Sequence, residues 1–500
     1  MGRSSRFPDP SHSIGYTGGV DFRLGRSVPD IMDKGILCEA TSCEPDCENV
    51  RNIMQALFVH TADNHLGYEQ YGVKERFNDF SRAFWAIVDD AIARKADLFV
   101  IAGDLFNKRA IDARTLMHAQ DGLERLRDAG IPCVAIEGNH DRSYYRDGFS
   151  WLEFLCWQNQ LILLNPYVRD GAPELKPWNQ EEMRGAYIDL KGGKLRVYGL
   201  PWYGASTTRV MKSLAEQLAA TREAEDAAGV EYRLLLLHTG IEGMLPTLHG
   251  LPQRSDFEPL RGLVDYVALG HVHKPYEVDG WLYNPGSSET WGAEESAWER
   301  GYYVVRIDTN APEGEPTHIA EHIVNPRRPF LRLPFNVEGL RDPAALYEAF
   351  ERYCRSKVRE YAVPEQPAPG LEPVVDVSLT GVLSFDASAL DRAQLEETAQ
   401  QMFHPLVVRI HDSTRDSEWE MDDENGLDSS DRSTWLQLET HIFEELLQRD
   451  ARFQQRAGEW ARLVASLKQM ALGGESAEQV IQKLRDERAR LLNTSPPSNG

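Results

Sequence analysis

Five short apolar runs along the chain each end in polar residues that can bind a metal ion. The runs are Leu57–Val59, Leu98–Ala102, Val134–Ile136, Leu234–Leu237 and Tyr266–Leu269. Short apolar runs of this kind are typical of buried β-strands. Because open α/β sheets place their functional sites at the carboxyl ends of strands, we expect the polar residues after the five runs to share one site.

Carboxylate, amide and imidazole side chains follow these runs. They are Asp63, His65, Asp104, Asn139, His140, Asp141, His238, His271 and His273. Any one of these short motifs could be an ordinary turn, but their common position after a strand favours a shared site. Oxygen and nitrogen ligands without cysteine suit Mn²⁺, Fe²⁺ or Zn²⁺ better than a thiolate-bound structural zinc. The pattern predicts a two-metal site with Asp104 at its centre.

Two such ions would give the site a specific chemistry. Ions about 4 Å apart can hold a phosphate group, generate hydroxide and stabilise both the attacking and the leaving oxygen. Asp104 follows the small Gly103, so its carboxylate could reach both ions. His140 follows Asn139 directly, so one turn can bring an amide to a metal and an imidazole to the substrate. That imidazole could act as a general acid or stabilise charge.

The segment from residue 54 to 325 alternates between strands and helices. Apolar residues at helical spacing predict helices over residues 77–94 and 115–129. We therefore expect residues 54–325 to form an α/β domain with mixed sheets. Residues 1–53 are rich in Gly, Ser, Pro and Asp without a sustained period, which predicts a disordered leader or a mis-called start codon. Its three cysteines, Cys38, Cys43 and Cys47, have no assigned role.

A second, smaller α/β pattern follows the segment Asn325–Pro329. Residues 326–412 show strand, helix, strand, helix and strand in turn, which predicts a compact domain. Residues 413–433 are mostly acidic or polar, as in a solvated linker. Residues 434–492 are predicted to be helical, and residues 493–500 to be a disordered tail.

The helical segment 434–492 has a wide apolar stripe. Its residues are Trp435, Leu438, Ile442, Leu446, Phe453, Trp460, Leu463 and Leu467. The stripe could pack within the chain, or it could bind a helix of a partner protein.

Composition sets limits on the partners. The formal net charge of −24 argues against a general polyanion-binding surface. A local basic groove and bound metal ions could still contact phosphates. No apolar run approaches the roughly 18 residues of a membrane span, and the first residues lack a secretory signal. We expect a cytoplasmic protein without membrane contact.

Three motifs resemble a known superfamily. Asp63–Gly67, Gly103–Phe106 and Gly138–Asp141 are similar to the motifs of calcineurin-like metallophosphoesterases, and within them to the SbcD and meiotic-recombination-eleven nucleases. The likeness extends from Leu57 to about Ile307 and is weaker in the second domain. It implies a four-layer metallophosphoesterase β-sandwich flanked by helices, with a small α/β capping domain and C-terminal helices.

The resemblance also implies roles for the site residues. Asp63, His65 and His273 would hold the first ion, Asn139, His238 and His271 the second, and Asp104 would bridge them. His140 would contact the scissile phosphate and the leaving group, with Asp141 orienting its ring. The two divalent ions are expected to be Mn²⁺.

The same resemblance implies a function and partners. The chain would be a nuclease subunit that acts on DNA ends in double-strand break repair, with a capping domain that helps to select DNA. Its C-terminal helices would bind an SbcC-type, SMC-like coiled-coil ATPase, and helices 77–94 and 115–129 would form a homodimer. Asn107 replaces a histidine of several family members, which leaves the balance between exonuclease and endonuclease activity open.

Two other functions remain possible from the sequence. The acidic composition favours a small-molecule or cyclic-nucleotide phosphodiesterase of the same superfamily. The apolar helices would also suit a non-catalytic scaffold that recruits partners to DNA ends.

Overall fold

The computed structural model describes most of the chain after residue 53. The described residues are 54–143, 148–312, 314–364, 367, 370–416, 440, 443–444, 446–448, 453–472 and 477–493. The leader with Cys38, Cys43 and Cys47 and the tail 494–500 lie outside them. So do residues 417–439 of the acidic and helical segments, including Trp435 and Leu438, and also Ile442.

The first of two large sheets has six strands. In chain order they are β1 (Gln55–Thr61), β2 (Leu98–Ile101), β3 (Cys133–Ala135), β4 (Ile162–Leu163), β13 (Gly301–Asp308) and β14 (His318–Val324). Their order in the sheet is β14-β13-β1-β2-β3-β4. Strands β1 to β4 are parallel, whereas β13 and β14 are antiparallel to their neighbours. The carboxyl ends of β1, β2 and β3 therefore lie along one edge.

The second sheet also has six strands. They are β7 (Tyr187–Leu190), β8 (Leu195–Leu200), β9 (Tyr232–Leu237), β10 (Tyr266–Leu269), β11 (Tyr276–Val278) and β12 (Leu282–Asn284), in the order β11-β12-β10-β9-β8-β7. Strands β8, β9, β10 and β12 run parallel. A separate hairpin pairs β5 (Tyr167–Arg169) with β6 (Ala172–Glu174).

Helices cover the outer face of each large sheet. The helices of this domain are α1 (Lys74–Ala93), α2 (Ala113–Asp128), α3 (Trp151–Trp157), α4 (Thr207–Ala227) and α5 (Arg254–Phe257). Phe84, Leu123 and Leu152 of α1, α2 and α3 pack on the first sheet, while Leu214 of α4 packs on the second.

The two sheets face each other across a shared core. Phe58 and Val100 of the first sheet belong to the same buried cluster as Leu234 and Tyr266 of the second. Because the central parallel strands are buried on both faces, their sequences are apolar runs without alternation. The layers are helix, sheet, sheet and helix, which confirms the predicted four-layer β-sandwich.

The smaller α/β unit is a three-stranded parallel sheet with two helices on one face. Its elements are β15 (Phe330–Asn336), α6 (Pro343–Glu360), β16 (Val374–Leu383), α7 (Arg392–Phe403) and β17 (Val407–Asp416). Residues 413–416, which the sequence assigned to the linker, are part of β17. Their backbone pairs with Thr380–Leu383 of β16, so a polar segment remains in the sheet.

Buried ion pairs join this unit to the first domain. Arg328 lies in the predicted boundary segment, and its guanidinium contacts Asp79 of α1 at 2.6 Å and Glu372 at 3.0 Å. Asp79 also pairs at 2.6 Å with the fully buried Arg76. The buried Asp79 carboxylate therefore connects α1 to the segment that leads into β15.

The C-terminal helices α8 (Ala457–Leu472) and α9 (Ala477–Asn493) pack against each other. Leu463 is buried, which corrects its assignment to a partner surface. Leu446 is exposed, and Phe453 and Trp460 are half-buried with their rings in edge contact. Leu467 is also half-buried. Within the described part of the chain, no helix has both the length and the apolarity needed to span a bilayer.

Candidate metal centre

The ends of five strands from the two sheets meet at one site. Asp63 and His65 follow β1, Asp104 follows β2, and Asn139 with His140 follows β3. From the second sheet, His238 follows β9, and His271 and His273 follow β10. The structure therefore brings all of the metal ligands predicted from the sequence to one edge of the sandwich.

The backbone turns sharply at four of these residues. Asp63, His65, Asp104 and His271 have φ angles of 51°, 48°, 52° and 84°, in the left-handed region that L-residues seldom adopt. The Asn64 and His65 amides both donate to the Asp104 carbonyl, at 2.9 and 3.1 Å, which holds the first two loops together. Strained backbone conformations of this kind cluster at functional sites.

The ligand atoms fall into overlapping groups. Asp63, His65 and His273 form one group in which the atoms lie within 4.8 Å of one another, and Asp104, His238 and His271 form a second. Asp104 also lies in a third group, with His65 and His140. The Asp104 carboxylate thus lies between the two outer groups.

Asn139 lies beside the second group. Its Oδ1 atom is 3.2 Å from His238 Nε2 and 3.0 Å from His271 Nδ1. The His238 Nε2 atom is also 3.3 Å from Asp104 Oδ2. An amide oxygen, a carboxylate oxygen and two ring nitrogens therefore converge on one small volume.

Hydrogen bonds at the back of two rings set their direction. His238 Nδ1 donates to the Ala102 carbonyl at 2.7 Å, and His273 Nδ1 donates to Glu295 Oε1 at 3.0 Å. Each ring consequently presents Nε2 to the site. Metal-binding histidines are oriented in this way by a carbonyl or carboxylate on the other nitrogen.

The donor set fits divalent cations. His65 Nε2 and His273 Nε2 approach to 3.0 Å, so two acceptor atoms converge where a cation could lie between them. Nitrogen and oxygen ligands suit Mn²⁺, Fe²⁺ or Zn²⁺. Two glycines leave room for His238 and Asp104 in the site. A Cβ at Gly103 would collide with His238, and a Cβ at Gly138 would collide with Asp104.

Burial and neighbouring charges set the ionisation of the site. Burial lowers the pKa of His65 well below its usual range and that of His271 to about 3, so both rings are neutral. Burial alone would raise the pKa of Asp104, but the charge and hydrogen bond of His238 lower it below its usual range. Burial raises the pKa of Asp63 to about 6. Burial alone would lower the pKa of His238, but the charge and hydrogen bond of Asp104 outweigh it and raise that pKa to about 9. At neutral pH the site therefore offers ionised carboxylates and the neutral rings of His65 and His271, with His238 protonated beside Asp104.

The hydrogen bonds and the exposure of His140 differ from those of the histidines predicted to bind metal. Its Nδ1 donates to the Asn107 carbonyl at 2.6 Å, and its backbone amide donates to Asp104 Oδ1 at 2.9 Å. The ring is half-exposed and meets His65 edge to face, with centroids 5.0 Å apart. His140 Nε2 is therefore the ring nitrogen left for a substrate.

The structure corrects the role expected for Asp141. Its carboxylate accepts backbone amides from Phe106 at 2.9 Å and Gly138 at 3.0 Å, and it is fully enclosed. Asp141 thus ties the loop after β2 to the loop after β3. The group that orients the His140 ring is the Asn107 carbonyl, which accepts from Nδ1, whereas the Asp141 carboxylate accepts backbone amides instead.

Sequence reasoning missed a second layer of residues around the site. Glu295 accepts from His273, and the buried Arg300 donates to Glu295 Oε2 at 3.1 Å and to the His273 carbonyl at 2.9 Å. The Trp291 ring lies 5.5 Å from the His273 ring, and its Nε1 donates to Asn107 Oδ1 at 3.2 Å. These residues lie between β12 and β13, where one short 3₁₀ helix (Ala293–Glu295) interrupts the loops and no periodic pattern marks them.

Comparison with known proteins gives one family. The family model described as calcineurin-like phosphoesterase matches residues 56–275. Curated relatives named DNA double-strand break repair protein Mre11 are 32% identical over 255 residues in Archaeoglobus fulgidus and 30% identical over 364 residues in Haloferax volcanii. A third, in Methanococcus maripaludis, is 42% identical over 217 residues.

The shared region differs in extent among these relatives. The match to the Archaeoglobus protein covers 48% of this chain and 52% of that protein. The match to the Methanococcus protein covers 43% of this chain and 51% of that protein. The match to the Haloferax protein covers 71% of this chain and 67% of that protein. The chain thus spans about half the length of two of these curated relatives and two thirds of the third.

Proposed function

This chain belongs to the Mre11 branch of the calcineurin-like phosphoesterases, and from that premise we propose that it is a metal-dependent nuclease acting on DNA ends in double-strand break repair. The observation that supports this most directly is the pair of ligand groups linked by Asp104. Such a pair suits two cations and a phosphodiester, the substrate class of two-metal nucleases.

The ligand assignment follows the two groups. Asp63, His65 and His273 would hold one ion, with Asn139, His238 and His271 holding the other. Asp104 would bridge them. We propose Mn²⁺ as the metal in both positions. When bound, the two ions would activate water and neutralise charge on the phosphate.

The chain's own residues would complete the reaction. With Nδ1 held by the Asn107 carbonyl, His140 presents Nε2 to the leaving oxygen and, in its protonated form, can donate a proton there. Asp141 keeps the two loops at a fixed separation through their backbone amides. Glu295 and the Ala102 carbonyl keep two ligand rings turned towards the ions.

We also propose the partners that the family resemblance implies. The exposed apolar residues Leu446, Val464, Ile481 and Leu484 on the C-terminal helical segment would contact the SMC-like coiled-coil ATPase. Trp435, Leu438 and Ile442, which lie outside the described residues, are proposed for the same partner from their place in the apolar stripe of the sequence. Helices α1 and α2 would form the homodimer, and Met117 of α2, 64% exposed, is suited to lie in its interface.

The test is cleavage of linear duplex DNA by the full chain with Mn²⁺. We expect His140→Ala to abolish cleavage without altering the melting temperature, whereas His249→Ala, at a solvent-exposed histidine, should cut like the wild type. Cleavage by the His140→Ala protein at the wild-type rate would refute the proposal. Turnover of a chromogenic diester without turnover of DNA would instead favour the small-molecule phosphodiesterase.

A further inference from the structure

A cavity of about 470 Å³ lies next to the loop that holds Asn139 and His140. Five of its lining residues are Arg109, Glu137, Arg142, Glu153 and Trp202, and we call it the Trp202 cavity. Its volume is within the range of small-molecule sites, about 300 to 1,000 Å³. None of these five residues is a predicted metal ligand, so the cavity is separate from the metal centre.

Glu137 gives the cavity an unsatisfied acceptor. Its side chain is 7% exposed. Ser150 hydrogen-bonds to the carboxylate, but the Oε1 atom has no hydrogen-bond partner among the described residues. Buried polar atoms are nearly always hydrogen-bonded in native proteins, to protein groups, water or a ligand. The position of Glu137 therefore suits a ligand that donates an N–H or O–H to a carboxylate.

Two arginines and an indole supply the other contacts. Arg142 donates to the Trp202 carbonyl at 3.2 Å, and Arg109 donates to the Asn139 carbonyl at 3.5 Å. A guanidinium presents five N–H donors in a planar arrangement that matches phosphate oxygens. The Trp202 side chain is half-exposed, so part of its ring is open to a stacking partner.

A carboxylate acceptor, two guanidiniums and an aromatic ring in one cavity match the parts of a nucleotide. We propose that the Trp202 cavity binds one unpaired nucleotide of a DNA end, next to the phosphodiester that is cut. The base stacks on Trp202 and donates to Glu137, while its phosphate lies against Arg142 and Arg109. This deepens the proposed nuclease function and depends on it for the source of the nucleotide. An unpaired nucleotide enters at little cost, because no base pair has to open.

The position of the cavity explains how a bound nucleotide could place the scissile phosphate at the metal centre. Arg109 contacts the backbone of Asn139, and Arg142 comes two residues after His140. A nucleotide held by both arginines would place its neighbouring phosphate near the metal centre. The Trp202 cavity would thus favour DNA ends with unpaired nucleotides over blunt ends.

Equilibrium dialysis tests the cavity without the metal centre. Deoxyguanosine 5′-monophosphate, which has two adjacent N–H donors on its base, is dialysed against the full chain in EDTA. We expect saturable binding by the wild type, with affinity roughly tenfold lower in Trp202→Ala and several-fold lower in Glu137→Gln. Trp157→Ala, at an indole 51% exposed on α3, is the matched control and should bind as the wild type does. No binding by the wild type, or equal binding by all four proteins, would overturn the proposal.

Cleavage assays then identify the source of the nucleotide. With Mn²⁺, Trp202→Ala should lose at least about tenfold more rate on duplexes with short unpaired ends than on a chromogenic diester that has no base. If it loses nucleotide binding but processes unpaired ends like Trp157→Ala, the cavity takes free nucleotides and the DNA-end assignment is wrong. If the wild type cuts no DNA at all, the nuclease function fails, while dialysis still decides the cavity.

Discussion

Replacing Glu295 by glutamine should weaken metal binding although Glu295 is not a ligand. Its carboxylate accepts from His273 Nδ1 at 3.0 Å and from Arg300 at 3.1 Å. Burial lowers the pKa of His273, but the hydrogen bond and charge of Glu295 outweigh burial and raise it above its usual value. A neutral amide keeps the shape of the contact and removes the charge, so the His273 ring becomes a weaker base and a weaker ligand.

The structure sets the size of the effect. Loss of a carboxylate behind a metal-binding histidine costs about 10- to 100-fold in metal affinity. Arg300 is fully buried, and Glu295 is its ion-pair partner. Removing one partner of a buried pair costs roughly 3–5 kcal/mol, and the glutamine retains a hydrogen-bond acceptor, so the loss of stability should lie below that range.

Calorimetric titration with Mn²⁺, well below the melting temperature, measures the affinity directly. Glu294→Gln is the control, because Glu294 is exposed and adjacent in sequence. We expect the control to bind Mn²⁺ as the wild type does and Glu295→Gln to bind about 10- to 100-fold more weakly. Equal affinities in the two variants would show that Glu295 does not tune His273.

Three further perturbations test the surroundings of the site. Asp79→Ala should lower the free energy of unfolding by roughly 3–5 kcal/mol in urea titrations, because it removes both the charge and the acceptor that the buried guanidiniums of Arg76 and Arg328 contact. A change below 1 kcal/mol would contradict this. Trp291→Phe removes the indole donor to Asn107 and should reduce kcat a few-fold with unchanged Mn²⁺ affinity, as steady-state kinetics and calorimetry would show. Burial lowers the pKa of His60 from 6.5 to about 3, so the folded protein keeps this ring neutral between pH 7 and pH 5. The unfolded chain takes up a proton at His60 as the pH falls below 6.5, and this uptake lowers the free energy of unfolding. Between pH 7 and pH 5 the wild type should therefore lose about 2 kcal/mol more than His60→Gln in urea unfolding, and parallel losses would refute that assignment.

The sequence alone predicted the buried parallel strands and the position of the site, because apolar runs alternate with polar residues at the strand ends. Runs such as Leu98–Ala102 are apolar throughout because parallel strands between two layers are buried on both faces. Their carboxyl ends meet at one edge, so the position of Asp104 or His238 after a strand was enough to place it in the site. These predictions depended only on local pattern and on a general rule of sheet geometry.

The tertiary structure decided which groups touch. His65 and His273 are 208 residues apart, yet their Nε2 atoms approach to 3.0 Å. Asp141 was expected to orient His140 because the two are adjacent, but its carboxylate accepts the Phe106 amide of the loop after β2 and the Gly138 amide of its own loop. Glu295 ends a short 3₁₀ helix between β12 and β13, and the position of that helix depends on the packing around it. Hydrogen bonds between residues distant in sequence depend on how the loops pack against each other in the folded protein. The periodicity of one sequence does not predict these contacts.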